Sequence, residues 1–494
     1  MSESAPATVR LPQPAERRAA RRLPGPDSLW WLVLVAGAFG LAQLVFVVPR
    51  LGLSWDEVVY VSQVSMHAPA AYFDPARARG VPLLVAPVTL LTASVVAMRI
   101  YLALASALAL FLALLTWRGL RPAWVLALAG AAYASLWVAL YYGPQAMPDE
   151  WVAFAALAAV GFFLRAAGER TSPARISRGA LAGLAGCVAA AALVRPGDAF
   201  FLSGGLVLAI IVIRGWRRWQ LIAAIAAGLA AGSIQWVVEA YVRFGGPLQR
   251  LHAAGAEQGG FGFHLAFWDE FRAVNGPTLC RPCTVGVRYP ALSLWWLALP
   301  AIVTLGVLAA RKAGWLRSSL LVAFCGFAVA FQYLFLINYA APRFLLPAYA
   351  LLVIPVADAL AWMLTQARPD YRPLARYAVC AALVGQILIQ QVVLAHQVSE
   401  KVAFFGDYQR IATDLHRLGI RPPCLIKGEQ NIPVAFYAGC GSAAVPTAEP
   451  ASVRVAVLEY PRTGRPAYAR GWRAHHLPGI RTSSLRFVAY LPPR

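Results

Sequence analysis

Charge is what this sequence has little of. Asp, Glu, Lys and Arg make up 13% of its 494 residues, against about 25% in soluble domains, which excludes an ordinary soluble chain. The period-two alternation that a membrane β-barrel needs is missing. No internal repeat is evident and few charges fall inside apolar stretches, although a transporter with a midplane site and inverted repeats would show both. Carboxylates are the scarcer charge: 22 Asp and Glu stand against 44 Lys and Arg, a net +22. In a soluble protein that excess would point to nucleic acid. Here much of the arginine lies in short connections between apolar stretches, where it orients a membrane protein, so nucleic acid is set aside as a partner.

What is present is apolar sequence. Hydrophobic residues make up 60% of the chain, with mean hydropathy +0.60. Stretches of roughly 18–23 apolar residues recur, each long enough to cross a hydrocarbon core of about 30 Å as a helix. Candidate spans lie near 30–49, 95–116, 122–142, 150–167, 179–194, 199–213, 219–240, 291–310, 318–337, 344–363 and 374–396. The fold class expected is an all-α polytopic membrane protein of about eleven transmembrane helices. Residues 1–29, Pro/Ala-rich and basic, read as a disordered cytoplasmic tail. The transmembrane domain covers 30–396, with outer loops at 50–94 and 241–290, and residues 81–93 read as a partly embedded helix. From about 397 to 494 helical and strand-like patterns alternate ("IATDLHRLGI", "VRVAVLEY", "LRFVAYLP"), which predicts a small α/β domain.

Loop charge sets the orientation. Arg118/Arg121, Arg165/Arg170/Arg175/Arg178, Arg214/Arg217/Arg218, Arg311/Lys312/Arg317 and Arg368/Arg372/Arg376 fall on every second connection, the side expected to be cytoplasmic. The N-terminus is then inside a cytoplasmic (inner) membrane and the C-terminal domain outside. That domain is itself basic, but long domains translocate regardless of charge. Cys280 and Cys283 ("CRPC") and Cys424 and Cys440 fall on the outer side, an even number that suits disulfides in an oxidising space. Cys424–Cys440 is the favoured pair, and four unpaired small residues is the competing reading. A single CxxC has too few ligands for structural zinc.

The few carboxylates gather in the outer loops. Loop one carries Asp56, Glu57, His67, Asp74, Arg77 and Arg79; loop two carries Asp149 and Glu150. Ionisable groups at a membrane face line wet cavities when they do not face lipid, so two acidic clusters on one side of a bundle can converge. Such a site suits transfer from a phosphate-activated donor to a hydroxyl. A carboxylate takes the hydroxyl proton, and a guanidinium or divalent cation neutralises the departing phosphate. Asp149 and Glu150 are oxygen donors fit for Mg²⁺ or Mn²⁺, and Arg343, in "NYAAPRFLLPAY", can fork onto phosphate. Plainer roles compete: a helix cap for Asp56–Glu57 and for Asp149, and snorkelling for Arg343.

The order of these segments resembles the GT-C superfamily of membrane glycosyltransferases, in particular the protein O-mannosyltransferase and aminoarabinose-transferase branch. The resemblance rests on a basic N-terminus and one span, then "WDEVVY", "RARGVPLLVAP", "AMPDE" and "NYAAPRFLLPAYALLVI", over roughly residues 25–365. No "WWDYG"-type oligosaccharyltransferase signature is present. The resemblance implies a polyprenyl-phosphate sugar donor in the bilayer and a hydroxyl acceptor in the cell envelope (glycan, lipid or protein). It implies Asp56, with Glu57 beside it, as base or acceptor-orienting group. It implies Asp149 or Glu150 as the acceptor- or metal-positioning acid, and Arg343 as the donor-phosphate ligand. Arg79 and His67 match no motif; as basic groups of loop one they are candidates to reach the phosphate. The alternatives are a transporter or flippase for an envelope precursor, and a non-catalytic envelope assembly protein.

Overall fold

The computed structural model describes residues 25, 27–169, 177–260, 262–287, 289–366, 372–444, 453–482 and 486–493. The expected tail over 1–29 lies almost wholly outside these residues, as do Arg170, Arg175 and Arg368.

All eleven apolar stretches are helical. They form α1 (Trp30–Phe46), α4 (Val95–Leu115), α5 and α6 (Ala123–Ala134 and Trp137–Tyr142), α7 (Asp149–Ala166), α8 (Arg178–Val194), α9 (Pro196–Val212), α10 (Trp219–Phe244), α13 (Pro290–Lys312), α14 (Leu316–Phe335), α15 (Leu346–Gln366) and α16 (Arg372–Arg417). Short helices fill the connections: α2 (Trp55–Val61), α3 (Gly80–Thr89), α11 (Pro247–Glu257) and α12 (Phe267–Ala273). Among the described residues six helices are long and apolar enough to cross a membrane, and α1, α5, α8 and α9 are shorter apolar helices. The fold is thus a many-helix membrane bundle, but length and composition do not carry the expected count of eleven.

Local chemistry explains the ends. Ser94 and Ser177 cap α4 and α8 by accepting from Ala97 N and Ala180 N, and Pro196, Pro247 and Pro290 open α9, α11 and α13, where the missing N–H costs nothing. The expected span at 122–142 breaks at Ser135–Leu136. There the Trp137 N–H leaves the helical ladder and donates to Gln390 Oε1 on α16 at 2.8 Å, because a bilayer offers no water to satisfy a freed backbone group.

Burial sorts the helices. Fourteen of the eighteen α7 residues are buried, and 83% of the window leading through α15 is buried, against 17–22% for α10, α13 and α16. A helix apolar all round belongs at the centre, so α7 and α15 are the core pair and the others face lipid. Gly228 and Gly232 let α10 approach α8 until a Cβ at either would strike the carbonyls of Ala185 and Ala189, the small-residue packing that membrane helices use in place of a hydrophobic drive.

α16 runs unbroken for 46 residues, roughly 70 Å at about 1.5 Å per residue, through the domain boundary expected at 397. The polar composition after 397 marks where the helix leaves apolar surroundings, not where it ends. Beyond it lies a five-stranded sheet of order β2-β1-β3-β5-β4, with β1 (Cys424–Gly428), β2 (Gly441–Ala443), β3 (Arg454–Glu459), β4 (Arg473–His476) and β5 (Val488–Leu491). α17 (Asn431–Ala438) joins β1 to β2, which pair parallel, while β5 pairs antiparallel with both β3 and β4. Tyr437 on α17 accepts the Leu53 N–H at 2.9 Å, and the rings of His67 and Phe436 meet edge-on at 5.6 Å. The small domain therefore sits on the same end of the bundle as α2. Cys280–Cys283 and Cys424–Cys440 are both disulfide-bonded.

Candidate active site

The N-termini of α7, α9 and α15 open at one end of the bundle, and α2 lies across them. Three helix N-termini supply positive dipole ends, and the residues at those ends are Asp149, Arg195 and Arg343. Between them is a cavity of about 230 Å³ lined by Asp56, Tyr60, Asp74, Arg77, Asp149, Arg195, Glu257, Arg281, Tyr339 and Arg343, among others.

Asp56 is its centre. Oδ1 accepts from Arg77 Nη2 at 2.7 Å and Oδ2 from Arg343 Nη2 at 3.1 Å. Its side chain keeps 31% exposure although it lies deep in the protein, because it faces the cavity. Burial opposes ionisation of Asp56; Arg77 first and Arg343 next outweigh it, so its carboxyl lies below the ordinary aspartate range. Arg77 also pairs with Asp74. Arg343 reaches on to Asp149, with Nε 3.5 Å from Oδ2, and donates to the Thr278 carbonyl at 3.3 Å.

Asp149 is fully buried and does not cap α7. Oδ1 accepts from Arg195, and Oδ2 accepts no hydrogen bond. Buried acceptors are rarely left open, and this one lies in the cavity wall. Arg195 is held in turn by Asp198, whose Oδ2 lies 3.8 Å from Nε and whose Oδ1 accepts from Tyr333 Oη at 2.5 Å and from Gln332. The two acids expected to meet are thus joined through one guanidinium, in an order Arg77–Asp56–Arg343–Asp149–Arg195.

Four other expected residues lie elsewhere. Glu57, next to Asp56, points the opposite way. It is 0% exposed and completes the capping box of α2 with Ser54. It accepts both terminal nitrogens of Arg99, at 2.6 and 2.9 Å, and the Ala146 N–H at 2.9 Å. Glu150 is buried and accepts from Tyr133 at 3.0 Å, about 100° around the helix from Asp149. Arg79 pairs with Glu239 at 2.6 Å and donates to Gln63 at 2.8 Å, inside a cluster with Arg243 and Arg250. His67 packs against the small domain.

The donors fit a cation poorly. Asp149 and Glu150 diverge, both Asp149 oxygens face guanidinia, and among the described residues no three His, Cys, Asp or Glu side chains converge as a metal site.

Sequence reasoning missed Arg77 and Arg195 as site residues. Each had a signal: Arg77 shares loop one with Asp56, and "RPGD" opens on the same side as "AMPDE".

No protein-family model and no curated protein matches the chain. Solved structures do. ArnT, an aminoarabinose transferase from Cupriavidus metallidurans, bound to undecaprenyl phosphate, superposes with TM-score 0.66 at 14% identity, covering 94% of this chain and 100% of that one. Its apo state gives 0.64 at 15% identity, with 94% and 99% covered. The Archaeoglobus fulgidus oligosaccharyltransferase tethered with an acceptor peptide gives 0.53 at 12% identity, with 94% and 74% covered. The chain has the GT-C fold. In this GT-C fold, helices that differ almost wholly in sequence from those of the two enzymes follow the same course over nearly the entire chain.

Proposed function

We propose that the protein is a membrane glycosyltransferase that moves a sugar from a polyprenyl-phosphate donor to a hydroxyl acceptor at the outer face of the cytoplasmic membrane. The observation that carries this reading is the guanidinium–carboxylate chain around Asp56, set in a cavity at the end of the bundle. Support for the donor class comes from the ArnT structure, which holds undecaprenyl phosphate. Support for the orientation comes from loop charge, since Arg118, Arg121 and Arg165, of the α4–α5 connection and the end of α7, meet one another and the start of α14 at the opposite end. The two disulfides lie on the cavity side, as an oxidising compartment favours.

The roles follow from geometry. Asp56 hydrogen-bonds the acceptor hydroxyl and takes its proton as the new bond from that oxygen to the anomeric carbon forms. The bond between the anomeric carbon and the phosphate oxygen breaks, and polyprenyl phosphate leaves. A carboxylate this firmly ionised is a weak base in the ground state, so proton transfer comes late, when the hydroxyl oxygen has become acidic by bonding to carbon. Arg343, with Arg77 or Arg195, stabilises the leaving phosphate as charge develops on it, which preorganised donors do without rearranging. Asp149, with its open acceptor Oδ2, orients Arg343 and the acceptor. Glu57 and Glu150 build the framework. A related oligosaccharyltransferase structure holds zinc and sulfate, but the divergence of Asp149 and Glu150 leaves this site's charge stabilisation to arginine, and no step is assigned to a cation.

The test is transfer from a polyprenyl-phosphate sugar by purified protein in liposomes. Lipid-linked donor should accumulate, and one sugar should be missing from the envelope, when the protein is deleted. Full turnover by Asp56→Asn would remove the base and with it this mechanism.

A further inference from the structure

The small domain carries a feature that the transfer chemistry does not use. From Tyr460 to Arg494 there are seven arginines and two histidines, and no Asp or Glu. The sheet shows where part of this charge lies. Side chains on a strand alternate between faces. Ile426, Ala456, Leu458 and Ala489 turn one way and join the main core that includes Tyr408, Ile411 and Leu415 of α16. Val455, Val457, Val488 and Tyr490 turn the other way and form a separate cluster, covered by Ala469 and Trp472. The covering segment around Ala469 and Trp472, residues 461–472, therefore lies on the face turned away from α16 and the bundle.

That segment presents Arg462, Arg465 and Arg470, all exposed, around two aromatic rings, whereas Arg473, paired with Leu491, turns to the other face. Tyr468 is 36% exposed and meets the half-buried Trp472 edge-on at 6.5 Å. The Arg465 guanidinium lies over the Tyr490 ring, 5.5 Å from its centroid, so the sheet itself fixes one of the arginines.

Arginines that fork onto carboxylate or phosphate, set among ring faces that pack against the C–H faces of pyranoses, suit an anionic carbohydrate. We infer that this surface binds an acidic glycan, a polymer bearing carboxylates or phosphates, and presents it to the cavity at α2. Charge complementarity commits the choice: three arginines set against the one carboxylate of Glu459, which precedes the segment on the same face, disfavour cationic partners and gain little from neutral glycans. Position argues against the bilayer as the ligand. The edge of the sheet that faces the bundle is the β2–α17 side, where Tyr437 and Phe436 meet loop one, and β4 is at the far edge. The inference deepens the glycosyltransferase reading and rests on it for the meaning of "acceptor", but binding is measurable without turnover.

The experiment uses the full chain in nanodiscs of neutral lipid. Binding of polygalacturonate, as the acidic probe, is compared with binding of neutral dextran and of phosphatidylglycerol vesicles. Polygalacturonate binding that weakens with salt, with dextran not bound, is expected. Arg462→Glu/Arg470→Glu, two exposed side chains of the covering segment, should weaken it on the order of tenfold, and Tyr468→Ala should weaken it further. Equal binding by the charge-reversed protein overturns the inference, as does absent polygalacturonate binding or a preference for the vesicles. Asp56→Asn separates the two claims. Retained polymer binding with lost turnover in Asp56→Asn upholds both, full turnover in Asp56→Asn removes the mechanism's base without touching the binding, and unchanged turnover after polymer binding is lost in Arg462→Glu/Arg470→Glu overturns the presentation of the acceptor by this surface.

Discussion

In front of α2 and behind it, two carboxylates adjacent in sequence meet opposite electrostatic fates. Behind the helix, Glu57 and Arg99 are both 0% exposed, and every strong donor nearby is already matched: two guanidinium nitrogens, a backbone amide and the Ser54 cap. Arg121 and Asp358, at the other end of the bundle, repeat this closed pattern with Ser318 and Ser319. In front of α2, Asp56 sits between Arg77 and Arg343 and keeps access to a cavity, and Asp149 leaves one oxygen without a hydrogen bond. Closed ion pairs hold a fold in one arrangement. A cluster with an open acceptor, whose guanidinia face a cavity, can receive an anion and a hydroxyl. The difference between framework and site is thus one of saturation, not of residue type.

The comparison breaks most sharply at Asp56. Asp56→Asn should lower turnover about 10²- to 10⁴-fold in liposome transfer while leaving the thermal transition in detergent nearly in place. An equal loss of folding and activity would mean that Asp56 is framework like its neighbour. Behind the helix the reverse is expected. Arg99→Ala leaves Glu57 buried and unpaired, which costs about 3–5 kcal/mol, read as a lowered thermal transition and reduced yield of folded protein. A stable Arg99→Ala protein with impaired transfer would move this pair into the site.

The sequence made the bundle and the candidate centre legible for definite reasons. Apolar runs mark helices in lipid because the backbone has no other partner there, and every expected span is helical. Asp56, Asp149 and Arg343 stood out because charge is rare in this chain and each opens or precedes a span. What could not be read was direction. Residues 56 and 57 differ by about 100° around a helix axis, and nothing in "WDEVVY" says which of the two faces Arg99, 42 residues on. The same quarter-turn separates Asp149 from Glu150. Arg79 and Arg77 pose the problem again at two residues' spacing, and only the packing of α10 decides that Arg79 turns to Glu239.

Two smaller effects sharpen the contrast. Arg77 is the first of the cations that overcome the burial of Asp56 and hold its carboxyl below the ordinary range. If transfer needs Asp56 ionised, activity stays level as pH falls through the ordinary aspartate range and declines only beneath it. Arg77→Gln removes one of the two bonded guanidinia, so the acid limb of the pH–rate profile should move up toward the ordinary range. A limb that does not move would show that another group controls it.

The smallest effect is expected at Arg79. It belongs to loop one and carries the right charge for a phosphate ligand, yet it does not line the cavity. Its guanidinium donates to Glu239 and Gln63 and stacks on Phe73, 3.9 Å from the ring centroid. Arg79→Gln leaves Glu239 with Arg243 and Arg250, so no buried charge is stranded, and the cost should be about 1 kcal/mol of stability. The KM for the polyprenyl-phosphate donor should not change, while Arg343→Gln raises it or lowers kcat. Should Arg79→Gln raise that KM as much as Arg343→Gln does, the donor phosphate binds on the α10 side of α2, and the boundary between site and framework lies two residues further along the loop.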